Sequence, residues 1–300
     1  MTGPVLITGA TGQLGDALMK LCMAREIAFF PVSRPNFDFE RPASIDDVFI
    51  RDQPSLVINA AAYTAVDAAE QNPDAAKAGN HTGPLRLAQL CEKAGIPFIH
   101  VSTDYVFDGA KGEPYLETDP TNPTGVYGAT KRDGEDAIMT TGAKAIILRT
   151  AWVYAAHGKN FARTMLNAAR KTSQLRVVAD QRGTPTAAPD LAAAILDIAG
   201  IIKSTGWRNE YRGIYHCTNT GATTWHGFAT KIFEIAAPLG LPAPTVTPIA
   251  TADWPTPAKR PADSRLDCTK LAATFGCILP PWEVSAAPIV RALYKMDTPA

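Results

Sequence analysis

Long apolar runs are missing from this 300-residue chain, and a membrane-spanning reading goes with them. No segment reaches the roughly 18 continuous apolar residues that a spanning helix needs. An excess of either charge is missing too, since 29 Lys and Arg are matched by 29 Asp and Glu. A balanced chain offers no broad face to a polyanion, so no nucleic acid partner is expected. Cysteine is scarce: Cys22, Cys91, Cys217, Cys268 and Cys277 are scattered, with no CxxC pair. That excludes a disulfide framework or a cysteine zinc site and favours a reducing compartment. Five histidines (His81, His100, His157, His216, His226) show no ligand spacing and read as core or loop residues, so no catalytic metal is expected. The N-terminus enters an apolar strand at once, leaving no room for a secretory leader. A soluble, cytoplasmic protein is the expectation.

What remains is an ordinary globular balance, 46% hydrophobic and 19% charged, with two periodicities alternating through the first half. Short apolar runs at Pro4–Thr8, Ala28–Val32, Leu56–Ala60, Phe98–Ser102 and Ala145–Arg149 read as buried strands. Helical patterns at Gly12–Met23, Asp74–Lys93 and Gly128–Thr140 lie between them. Strand–helix–strand repeats predict an α/β fold with a doubly wound parallel sheet, because parallel neighbours need long crossovers. Beyond Val153 the pattern loosens into helices at Phe161–Ala169, Leu191–Ile201 and Trp225–Ala236, with strands at Leu175–Val178 and Gly213–Cys217. Seven prolines from Pro238 to Pro261, Pro242 among them, predict an extended or turning backbone there. The expected division is a dinucleotide-binding domain over 1–155 and a smaller, mainly substrate-binding α/β lobe over 156–300. Segments within about 175–218 are expected to return to the first domain.

Two motifs carry the chemistry. After the first strand, Thr8 to Gly15 places glycines at Gly9, Gly12 and Gly15, followed by a helix. Such a turn lets backbone approach a pyrophosphate, and the helix N-terminus offers it N–H groups and partial positive charge. At the end of the second strand, Ser33 and Arg34 favour the 2′-phosphate of NADPH, with NADH the alternative and Asp38 nearby. The second motif is Tyr127 and Lys131, one helical turn apart. A lysine ammonium beside the phenol is expected to lower its pKa toward neutrality, where general acid catalysis works best. The preceding strand ends Ser102-Thr103-Asp104, putting hydroxyls at the carboxyl edge where ligands bind in such sheets.

Together with Asn59–Asp67, Ser102–Gly109, Arg149–Tyr154, Asp180–Thr186, Thr223–His226 and Pro257–Pro261, these motifs resemble the extended short-chain dehydrogenase/reductase superfamily. Within it the chain is most similar to the reductases that complete dTDP-L-rhamnose synthesis. The resemblance implies hydride transfer from NADPH to the keto group of dTDP-4-dehydro-L-rhamnose, with Thr103, Tyr127 and Lys131 catalytic and Tyr127 the proton donor. Lys131 would also hold the nicotinamide ribose. Gly9, Gln13, Leu14, Asp38 and Phe39 would bind cofactor phosphate and adenine, and Ala60, Ala61, Ala62 and Tyr63 would sit beside the ribose and nicotinamide. Asp67, Asp104, Val106, Trp152 and Arg260 would surround the nucleotide sugar, with the Arg260 fork suited to its diphosphate. Trp225 reads as a structural anchor. Some relatives form a magnesium-bridged dimer through a Glu on the first helix. Ala17 stands at that position here, so magnesium is doubtful and the chain is expected to be a monomer or homodimer. Two other readings stay open: a sugar-nucleotide epimerase retaining NAD, and the non-catalytic NADP-binding regulatory subunit of methionine adenosyltransferase. A dehydratase is disfavoured, because Tyr105 follows Asp104 where those enzymes carry Glu.

Overall fold

The computed structural model describes residues 3–241 and 243–296. Strands β1 (Val5–Thr8), β2 (Phe29–Val32), β3 (Leu56–Asn59), β4 (Pro97–Thr103) and β5 (Lys144–Thr150) form a parallel sheet. Helices α1 (Gln13–Ala24) and α2 (Pro42–Asp52) flank β2. Next come α3 (Val66–Ala69), α4 (Pro73–Lys77), a π-helical turn (Ala78–Thr82) and α5 (Gly83–Ala94), with α6 (Val126–Thr140) between β4 and β5.

Beyond β5 follow β6 (Val153–Tyr154), α7 (Phe161–Ala169), β7 (Gln174–Val178), β8 (Arg182–Gly183), β9 (Thr186–Ala187) and α8 (Ala188–Thr205). The chain ends with β10 (Gly213–His216), β11 (Thr223–Thr224), α9 (Trp225–Ala236), β12 (Thr245–Ile249), α10 (Thr269–Phe275) and α11 (Trp282–Met296). The central sheet has six strands in the order β10-β5-β4-β3-β1-β2. It is the doubly wound α/β arrangement, and its direction of winding reverses between β1 and β3, which opens a crevice at the carboxyl ends of those strands.

Strands β1 and β3 are buried along their whole length because helices cover both faces of the sheet. Val5 and Ile7 pack with Leu14 and Leu18 of α1 and with Ile195 of α8 on one face, while Leu6 joins Phe37, Val48 and Leu87 on the other. β10 pairs with β5 and α8 packs on α1, so the chain revisits the sheet after leaving it. A separate core around Tyr154, Phe228, Trp282 and Val290 holds α7, α9 and α11 together. At the far edge, Ala28 and Val32 accept hydrogen bonds from Val5 and Ala10, and the exposed Pro31 lies between Phe30 and Val32.

Three details depart from the sequence pattern. The helix expected over Asp74–Lys93 starts at Pro73 and carries the π-helical turn in its middle. Helix α2 is polar enough that its periodicity does not announce it, but Pro42 in its first turn supplies a pre-set φ. Within the proline-dense stretch, β12 pairs in parallel with β7 and places Pro248 opposite Val177. Proline is tolerated there because the two-stranded ribbon leaves an open edge. Pro242 lies outside the described residues.

One buried ion pair ties sheet to helix. Arg149 on β5 makes a forked contact with Glu135 on α6, at 3.0 Å from Nε to Oε1 and 2.6 Å from Nη2 to Oε2. Both side chains are nearly inaccessible, and the guanidinium lies 5.0 Å from the centre of the Phe107 ring.

Candidate active site

The glycine turn is built by close approach. Gly9 has φ +68°, and a Cβ there would lie 2.7 Å from the Ala61 nitrogen. A Cβ on Gly15 would lie 2.2 Å from the Gly9 carbonyl oxygen, so only glycine lets α1 start this near the strand. Gly12 is the N-cap of α1, and no side chain caps the helix. The N–H groups at that end are thus left for an outside acceptor, and this cradle fits a dinucleotide pyrophosphate. Gln13 and Leu14 can serve it only through their backbone. The Gln13 side chain contacts Val153 and Asn160, beyond β5, and the Leu14 side chain is in the core. A Gly15→Ala variant is expected to lose about 1–3 kcal/mol of stability through overpacking. NADPH affinity should fall about tenfold or more, equivalent to at least 1.4 kcal/mol. Thermal melting and fluorescence titration check both; unchanged binding would count against a phosphate turn here.

Beyond β2, Arg34 is exposed, whereas the Asp38 carboxylate accepts from the Glu40 N–H at 3.1 Å. Phe39 is buried against Gly83, where a Cβ would lie 2.1 Å from its ring. Residues Ala60 to Tyr63 follow β3 at the crevice, all half-buried. Tyr63 is fixed by Asn80 of the π-helical turn, which accepts from the Tyr63 N–H at 2.9 Å and donates to its carbonyl at 3.1 Å. Asn80 also donates to the Thr130 hydroxyl on α6 at 3.1 Å. It therefore locks the loop after β3 to the Tyr127–Lys131 helix. Nothing in the linear sequence singles out Asn80; its role depends on the widened turn, a feature often found at functional sites.

At the carboxyl end of β4, the Thr103 hydroxyl donates to Asp104 Oδ1 at 3.0 Å and accepts from the Tyr105 N–H at 3.2 Å. Tyr127 is the second residue of α6. Glu70 caps that helix by accepting from the Val126 N–H at 2.8 Å, a second positioning residue that the sequence does not reveal. Burial pushes the Tyr127 phenol up to about 12; a hydrogen bond with Thr103 pulls it down and the Asp104 charge adds to the rise. Burial likewise raises Asp104 to about 6. The expected lowering of the phenol by Lys131 is overturned. Lys131 is itself buried and brought down to about 8, and its Nζ donates to the Val101 carbonyl at 2.6 Å. Its charge is directed into the floor of the sheet, and the phenol responds mainly to its own loss of water.

The nucleotide-sugar candidates separate. Arg260 and Asp67 meet in a forked ion pair at 2.8 and 2.9 Å, which joins α3 to the proline-dense segment. Hydrogen bonding to Arg260 holds the Asp67 carboxyl below its usual range. Trp152 follows β5 with φ +47°, a left-handed conformation costing about 1–2 kcal/mol. Its ring stacks on Trp225 at 3.5 Å and 8°, which offsets that cost. Val106 is fully buried with Phe107, Tyr115 and Leu266, and its carbonyl accepts from the Asn122 N–H, so its side chain offers no surface to a ligand. Ala17 is in the core on α1. Among the described residues, no group of three or more His, Cys, Asp or Glu could hold a metal ion, and no helix is long and apolar enough to cross a membrane.

A parallel α/β sheet with an uncapped glycine turn, a strand-end hydroxyl and a Tyr–Lys helix defines the class of dinucleotide-dependent short-chain dehydrogenase/reductase folds. Residues 2–295 match the RmlD substrate binding domain family, and the chain belongs to that family. The dTDP-4-dehydrorhamnose reductase of Sinorhizobium fredii is 42% identical over 287 residues, covering 96% of each protein. Among solved structures, a dTDP-4-dehydrorhamnose reductase from Clostridium acetobutylicum superposes with a TM-score of 0.88 at 37% identity, covering 97% of this chain and 99% of that one. The dTDP-4-dehydrorhamnose reductase of Bacillus anthracis, solved in complex with NADP, gives 0.87 at 33% identity, covering 96% and 99%.

Proposed function

We propose that this protein reduces the 4-keto group of dTDP-4-dehydro-L-rhamnose, giving dTDP-L-rhamnose, with NADPH as reductant and Tyr127 as proton donor. The observation that carries this is the Tyr127 phenol near the start of α6 beside the Thr103 hydroxyl at the carboxyl end of β4, on the edge of the sheet that also bears the uncapped turn. Family membership and the reductases it resembles support the substrate class. The NADP held by the Bacillus anthracis protein and the exposed Arg34 support the phosphorylated cofactor.

Reduced nicotinamide, when bound, supplies hydride to the sugar C4. The chain's own residues handle the oxygen. Tyr127, protonated throughout the neutral range, gives its phenolic proton to the carbonyl oxygen as negative charge builds there. Thr103 donates a hydrogen bond to the same oxygen once its hydroxyl turns away from Asp104. Arg260 takes the diphosphate by sharing the fork that now grips Asp67. The Trp152–Trp225 stack forms an apolar wall beside the sugar nucleotide.

NADPH oxidation against a panel of 4-keto-6-deoxy sugar nucleotides, with NADH run in parallel, tests this. Turnover with the thymidine-linked keto sugar, faster with NADPH, is the expected result. A purified protein holding stoichiometric NAD that does not exchange would overturn it in favour of an epimerase.

A further inference from the structure

A buried polar chain runs beneath the crevice from the glycine turn to Lys131. Thr8 donates through Oγ1 to Asn59 Oδ1, Asn59 Nδ2 lies 2.8 Å from His100 Nδ1, and His100 Nε2 lies 3.4 Å from Lys131 Nζ. Thr8, Asn59, His100 and Lys131 are all essentially inaccessible to water.

Polarity along this chain is fixed from one end. The Ala61 backbone N–H points at Asn59 Oδ1 at 3.3 Å and at Thr8 Oγ1 at 3.2 Å. A backbone N–H can only donate, so the atom of Asn59 facing it is the carbonyl oxygen and the amide nitrogen faces His100. That nitrogen can only donate as well, so His100 Nδ1 is an acceptor. In a neutral imidazole the remaining nitrogen, Nε2, then carries the proton and points it at Lys131.

We propose that His100 is a positioning residue for Lys131: the Thr8–Asn59 pair fixes it as the Nε2–H tautomer, and its donor toward Nζ lowers the proton affinity of Lys131 below that of an ordinary lysine. An ammonium would face the imidazole N–H as donor against donor. The amine instead accepts from His100 through its lone pair while donating to the Val101 carbonyl. Burial, with Lys131 nearby, keeps the imidazole well below its ordinary pKa, consistent with a neutral ring. Glu135 on the same helix draws Lys131 the other way, but its carboxylate is shared with Arg149 from β5. Tyr127 on α6 is a neutral phenol, and Asn80 and Thr130 carry no charge. His100 is thus the group on β4 that sets the polarity at Nζ. The functional consequence rests on the reductase reading of Lys131: the amine's protonation would set the basic limb of turnover.

The test uses the cofactor-free full chain labelled with nitrogen-15 and carbon-13, so that it stands apart from any turnover assay. Ring nitrogen shifts are expected to show His100 as the Nε2–H tautomer. Lys131, followed at Cε, should titrate at least one pH unit below the ordinary lysine value of about 10.4. In Asn59→Asp the carboxylate still accepts from Thr8 and Ala61 but must also accept from His100. The tautomer should then invert to Nδ1–H, and the Lys131 midpoint should rise by a unit or more, a tenfold change in proton affinity. A wild-type Nδ1–H tautomer or an ordinary Lys131 midpoint would overturn the proposal even if the variant does not fold. So would a variant whose midpoint rises without inversion, or whose tautomer inverts with no movement of Lys131. Inactivity toward every keto-sugar nucleotide, with these shifts intact, would sink the reductase reading and leave the buried chain standing.

Discussion

Tyr127→Phe is expected to lower turnover of the keto-sugar nucleotide by about 10²- to 10⁴-fold, the range typical for loss of a positioned general acid. NADPH affinity should stay within a few-fold of wild type. The phenol's hydroxyl is what changes; its ring, packed edge-on against Tyr105 at 5.5 Å, keeps its place in phenylalanine. Because the phenol stands near 12, it is protonated across the working range and imposes no acid or basic limb of its own below that value. Steady-state kinetics beside a cofactor titration separate the two effects. Near-normal turnover in the variant would remove Tyr127 from the chemistry. A matching loss of cofactor binding would mean instead that the phenol organises the crevice. Thr103→Val should cost less, since it removes one hydrogen bond and no proton.

The second large effect is on stability. Glu135→Ala strands the Arg149 guanidinium without a carboxylate in a site where only 3% of its side chain is exposed. Removing one partner of a buried pair costs about 3–5 kcal/mol, because the remaining charge has lost its water and gained nothing. For a chain of this size the melting temperature should drop by on the order of 10 °C. A Glu135→Leu, Arg149→Met double variant should recover most of that loss, since two apolar groups of similar volume leave no charge uncompensated. Differential scanning calorimetry on the three proteins decides the matter. A double variant as unstable as Glu135→Ala would show that the pair matters for shape and not for charge.

Much of the frame was legible because it rests on local periodicity. Strands β1 and β3 open as continuous apolar runs, β4 is apolar but for His100 until its hydroxyl-bearing end, and the glycine turn declares itself by spacing. Helix α6 carries Tyr127 and Lys131 on one face, and the strand-end hydroxyl falls where a parallel sheet places its ligand edge. What escaped was long-range. His100 reads as an ordinary core histidine, and so it is by burial; its tautomer depends on Asn59 and Ala61, about forty residues upstream. Asn80 and Glu70 act on α6 from other elements, and no spacing rule links them to it. The Tyr–Lys expectation failed because four-residue spacing says that two side chains share a face, not where each one ends. Val101 offers a carbonyl that captures Nζ, and burial then dominates the phenol. Trp225, read as an anchor, is that and also the partner of Trp152.

Strand β2 is one of the two borders of the sheet, and its outward-facing residues are the alternate ones, Phe29 and Pro31, since Ala28 and Val32 already bond to the β1 side. Proline has no amide hydrogen to offer, so an incoming strand would find one outward donor on this border where two would normally stand. Two copies of the molecule therefore have no continuous hydrogen-bonding rail along which to zip at this border.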